Sequence, residues 1–205
     1  MSVVELSLVL MLLLFLILGS GVWIAIALFR ETFAQRALGA ALRAGMVITI
    51  VGASSAGLMT TPTRAQIAKV RETGRMVTAG AHTVGAPDGG EGLREVGWSR
   101  RNGDLRIPHF FGLHALQVLP LVALIARRRR ADETAVRIVH VAVASYVGLF
   151  GILLFEALAG EPLLAPGPTT LVLLVVWALV TSAGLWIVSR RRESAAPRIS
   201  AYAGA

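Results

Sequence analysis

Four histidines, His82, His109, His114 and His140, are the side chains of this chain best suited to chemistry, and it has no cysteine. Disulfides, thiolate metal sites, iron–sulfur clusters and cysteine nucleophiles are therefore excluded. Two of the histidines lie in one segment, DLRIPHFFGLHALQ, at Asp104–Gln117. Asp104 is placed to cap the turn that enters a helix, and Pro108 suits the first turn, where its missing N–H costs little. His109 and His114 are five residues apart, roughly 140° around a straight helix, so they do not share a face as an i,i+4 metal pair would. His114 and Gln117, three apart, do share one. Imidazole with carboxylate suits Zn, Cu, Fe or Ni, and it also suits proton handling. The metal-ligand candidates are His82, His109, His114 and Glu156. Imidazole also holds haem iron, and for haem b the candidates are His109 and His114. Asp104, Gln117 and Tyr146 are further polar candidates. No HExxH signature, nucleophile elbow or P-loop occurs.

The elements that must position these residues are membrane spans. Apolar residues make up 55% of the 205, charged residues only 16%, and the mean hydropathy is +0.70. Soluble domains have about 45–50% apolar and about 25% charged residues. Five runs, at 3–29, 37–59, 107–126, 136–158 and 169–189, each approach or exceed the roughly 20 residues needed to cross a ~30 Å hydrocarbon core. The expected fold is an all-α polytopic membrane protein, one membrane domain. An outer Gly-rich loop at 60–106 carries a short interfacial helix, and a cytoplasmic tail occupies 190–205. The first run is not read as a signal peptide, because MSVVE lacks a basic start.

Orientation follows from arginine. Arg30 and Arg36 flank the first connection, Arg127 to Arg130 and Arg137 the third, and Arg190, Arg191, Arg192 and Arg198 the tail. These put the N-terminus outside and the C-terminus in the cytoplasm. The basic residues of the 60–106 connection pull the other way, but it also carries acids, and long connections weigh less. The net charge of +8 reflects these flanks, so no nucleic-acid partner is expected. The partners expected are the bilayer, other copies of the chain, or a larger membrane complex.

Depth along the spans decides which groups can meet. Glu156 falls at the outer end of the fourth span, between the depths of His109 and His114. His140 falls about 15 Å deeper than His114, which argues against one haem shared by that pair. Pro120 is expected to kink the third span. In the long connection, Thr60 or Thr61 is expected to cap a helix over RAQIAKVRE that Gly74 closes. The glycines after Ala79 suit either a folded cap or a mobile loop. Plainer roles compete at each position. His109 suits a headgroup-level residue, Glu156 and Arg43 suit snorkelling, His140 a structural role, and Trp98 an interface anchor. GASSAG at 52–57 suits helix packing through Ala53 and Gly57.

The stretch from His82 to Leu121, HTVGAPDGGEGLREVGWSRRNGDLRIPHFFGLHALQVLPL, resembles a motif of small bacterial multi-pass membrane proteins. The resemblance implies a bacterial inner-membrane location and joins the outer loop to the His109/His114 segment. It implies no catalytic residue. Three functional expectations follow from the residues. One is a metal- or haem-binding protein with a redox, electron-transfer or metal-handling role. Another is an accessory subunit docking through its outer loop. The third is a proton-coupled or small-solute carrier using His114, Gln117, Tyr146, Ser54 and Glu156.

Overall fold

The computed structural model describes residues 3–190, so the tail expected beyond Arg190 lies outside the described residues. Helix α1 (Val3–Arg30) leads into α2 (Arg36–Ser54) and the short α3 (Ala56–Thr60). The long connection holds α4 (Arg64–Thr73), β1 (Thr83–Val84) and β2 (Gly103–Asp104). Then follow α5 (Arg106–Leu113), α6 (Ala115–Arg129), α7 (Asp132–Leu158) and α8 (Pro168–Arg190). Among the described residues, four helical runs are long and apolar enough to cross a membrane, five if the bent pair α5–α6 counts as one span. These runs overlap the five segments read from the sequence. What differs is their continuity.

Small residues decide the centre. On α2 the buried positions include Ala37, Ala41, Gly45, Ile48 and Gly52, and on α6 Ala115, Leu119, Ala123 and Ala126. These small side chains let the two helices approach closely, the packing by van der Waals contact that helices in hydrocarbon use. The tightest point is Gly52 of α2 against Gly112 of α5. A Cβ on Gly52 would stand 2.6 Å from the Gly112 Cα, which no side chain tolerates. Gly57, expected to share the packing face, has no neighbour within 4 Å of such a Cβ. Helices α1 and α8 are peripheral, packing chiefly on α2 and α7 respectively. Arg43 of α2 serves the first of these joints, donating to the Leu28 carbonyl at 2.9 Å and to that of Glu31 at 2.7 Å. It thereby caps the end of α1, and its guanidinium also lies over the rings of Phe29 and Phe33.

Two helical runs are broken where they cross. The second run is interrupted at the single residue Ser55, between α2 and α3, and resumes at Ala56. The third turns by 44° at His114, whereas the sequence pointed to Pro120, which lies inside α6. Two close contacts with α2 fix the bend there. Gly112 sits on Gly52, and Ala115 and Leu116 sit on Gly45, so the chain changes axis between them.

The long connection forms a folded cap. Thr63, and not Thr60 or Thr61, caps α4, because Gln66 three residues later completes a reciprocal capping box. Gly74 closes α4 in the left-handed conformation, as expected. Strands β1 and β2 pair antiparallel, Thr83 opposite Asp104 and Val84 opposite Gly103, and Gly92 bridges Ser99. Gly103 lies against the Ala157 carbonyl, where a side chain has no room, and this seats the cap on the end of α7.

Candidate functional site

A break in a helix frees carbonyls, and away from water each needs another donor. At Ser55 the Gly52 carbonyl receives the Ser55 hydroxyl at 2.6 Å and His109 Nδ1 at 2.8 Å. At His114 the Phe111 carbonyl receives the Tyr146 hydroxyl at 2.6 Å, while the two rings stack with centroids 4.3 Å apart. The Thr49 hydroxyl reaches the Leu113 carbonyl at 3.4 Å. Gln117, with its amide oriented to donate, meets the Leu113 and His114 carbonyls at 3.2 and 3.0 Å. Ser54 returns to the Ile50 carbonyl of its own helix. Three polar residues singled out from the sequence, His109, Gln117 and Tyr146, are thus engaged with the backbone of the two breaks.

The cap holds two more. His82 pairs with Asp88 at 3.3 Å, and the Asp88 carboxylate also accepts the N–H groups of His82 and Thr83. Partial burial raises the Asp88 carboxyl, but these bonds outweigh it and hold the group below the usual carboxylate range. Asp104 is buried, with its side chain wholly covered. It accepts the N–H of Ser99 at 2.8 Å and of Arg106 at 3.0 Å, and the Arg106 guanidinium at 2.9 and 2.7 Å. Burial again works upward, and these donors together bring Asp104 below its ordinary value. The cap is therefore knotted at Asp104, directly ahead of α5. Glu161, in the connection after α7, binds the Gly167 N–H and the Thr170 hydroxyl at the start of α8. Those two bonds lower its carboxyl.

Glu156 does not snorkel. It is 4% exposed at the end of α7, because the cap strand covers that end. Among the described residues no three His, Asp or Glu side chains converge as a metal-ligand set, so His82, His109, His114 and Glu156 do not assemble into one. His140 is exposed on α7.

His114 stands apart. It is exposed, sits at the bend, and its ring has no hydrogen-bond partner among the described residues. It lines a cavity of about 610 Å³ whose other walls are apolar. Val96 and Trp98 come from the cap, Ile107, Phe110 and Phe111 from α5, Leu153 from α7, and Leu163 from the connection that follows. Trp98, expected as an interface anchor, is a cavity wall. The chain matches no known family model, no curated protein and no solved structure. The site's chemistry must carry the functional reading.

The aromatic pair Phe110–Phe111 next to His109 was a signal available in the sequence for this cavity. Leu153 and Leu163 gave none, since only the folded cap and the α7 turn bring them to His114. Thr49 was invisible for the same reason.

Proposed function

We propose that this protein binds a lipid-soluble ring compound, of the quinone or haem class, in the His114 cavity at the outer leaflet of a membrane. One observation carries the reading: among the described residues the His114 ring has no hydrogen-bond partner, and it lines an otherwise apolar cavity. An imidazole in apolar surroundings gains from a partner, whether a carbonyl, a hydroxyl or a haem iron. Trp98, Phe110 and Phe111 offer aromatic surface for offset or edge-on contact with a flat ring. The volume lies within the roughly 300–1,000 Å³ of small-molecule sites. A bare metal ion is favoured less, because one imidazole supplies one ligand where zinc, for example, takes three or four from protein. The arginine pattern supports the orientation that puts the cap and this cavity outside.

The test is an absorbance spectrum and mass spectrometry of the organic extract of gently purified protein, wild type beside His114→Ala. A chromophore or co-purified lipophile that falls at least tenfold in the variant, about 1.4 kcal/mol, supports the reading. Equal amounts in both samples, or none in wild type, overturns it.

A further inference from the structure

Phe111 belongs to two cavities. It lines the His114 cavity and also an apolar groove of about 270 Å³ that runs between α6, α7 and α8. Their walls also lie one helical turn apart on α6 and α7. Val118 of the groove lies one turn beyond His114, and Leu149 one turn from Leu153. From there the groove continues past Val122 and Ala142 toward the arginine-rich end. Its polar groups are spent on one another. Trp177 donates to the Ser145 carbonyl at 2.8 Å, and the Thr181 hydroxyl to the Ser145 hydroxyl at 3.0 Å. An occupant of the groove thus finds a mostly apolar wall, while an occupant of the cavity finds one imidazole. A polar-headed ring at one end and an unbranched or isoprenoid chain at the other fit that division.

We infer that the groove seats the tail of the cavity's ligand, so that the ligand is a long-chain amphiphile with its ring at His114 and its chain along α6 and α7. This rests on the reading of the His114 cavity and narrows its ligand class, since haem b has no such chain. Selectivity for chain length then resides in residues remote from the ring. Val118 and Val122 on α6 set the width of the groove one and two turns beyond the bend.

The test uses full-length protein in lipid nanodiscs, with ethyl- and hexadecyl-benzoquinone as probes and native mass spectrometry to count bound molecules. Wild type, Val118→Trp, Val122→Phe, His114→Ala and a control, Val172→Trp, are compared. Val172 is 62% exposed on α8 and does not line the groove. Wild type and the control are expected to hold the hexadecyl probe about tenfold more tightly than the ethyl probe. In Val118→Trp and Val122→Phe the ratio should fall to about twofold, with the ethyl probe bound as in wild type. Two groove variants keep the result readable if one of them fails to fold. An unchanged tail preference in both overturns the groove assignment and leaves the cavity reading standing. An ethyl probe that binds wild type and His114→Ala alike, or fails to bind wild type, overturns the cavity reading and this inference with it.

Discussion

His109 Nδ1 and the Gly52 carbonyl lie 2.8 Å apart, joining the two broken helices at the point where their backbones touch through Gly52 and Gly112. A carbonyl oxygen only accepts, so Nδ1 carries the proton of this bond. The bond gives His109 a structural role through Nδ1, whereas neither ring nitrogen of His114 is engaged among the described residues. His109→Ala should destabilise the fold by about 1–3 kcal/mol, the cost of a poorly satisfied buried carbonyl. His114→Ala should change stability by less than about 0.5 kcal/mol. Unfolding in mild detergent, followed by circular dichroism, separates the two.

The glycine crossing makes a second contrast. Gly52→Ala and Gly112→Ala each force a Cβ into the opposing backbone and should cost about 1–3 kcal/mol or more. Gly57→Ala meets open space in α3 and should be neutral, or stabilising by up to about 1 kcal/mol through helix propensity. Thermal denaturation of the three variants checks the ranking.

Tyr146→Phe keeps the stacking on Phe111 and removes only the hydroxyl that the Phe111 carbonyl accepts. A loss of about 1 kcal/mol is expected. Hydrogen exchange should quicken at the α5–α6 bend before it quickens elsewhere, and unchanged exchange there would remove Tyr146 from the bend's support.

The cap depends on Asp104. Its carboxyl is depressed below the ordinary 3.8, so its contribution is fully present above that value and is lost as the pH falls through the lower folded-state value. Asp88 and Glu161 are shifted the same way and add to the same acid-side loss. Limited proteolysis of the cap should therefore be slow at neutral pH and accelerate below about pH 4. Asp104→Asn should show fast cleavage already at neutral pH, costing about 3 kcal/mol because it leaves Arg106 with a broken, largely buried pair.

A cysteine-free chain allows the orientation to be read directly. Gly90→Cys, in the cap, should react with an impermeant maleimide in intact cells. Ala131→Cys, in the arginine-flanked connection, should react only after permeabilisation. The reverse pattern would put the His114 cavity at the inner leaflet.

The helical runs were legible because an apolar segment of some 20 residues has one outcome in hydrocarbon, and their ends lay at arginines, glycines and Thr–Pro turns. The breaks were not. Nothing local in GASSAG or HFFGLHAL marks Ser55 and His114 as the stopping points. Both lie beside the close approach of α2 to α5 and α6, through Gly52–Gly112 and Gly45–Ala115, and such a pairing is a tertiary fact. The same holds for the histidines. His82, His109 and His114 stood equal as imidazoles in the sequence, and only their partners separate them: Asp88 for the first, Gly52 for the second, an apolar cavity for the third. Glu156 read as a residue near a helix end, free to reach water, until β2 covered that end. Asp104 was legible as a carboxylate at the entry to α5, where it accepts the Arg106 N–H, although Leu105 and not Asp104 holds the cap position.

The measurement that bears most directly on the central claim is native mass spectrometry of protein released from its own membrane, wild type beside His114→Ala and His109→Ala. Wild type and His109→Ala should carry the same lipophilic adduct, with His109→Ala less stable, and His114→Ala should lose it. An adduct retained by His114→Ala, or lost with His109→Ala alone, would contradict the assignment of the ligand site to His114.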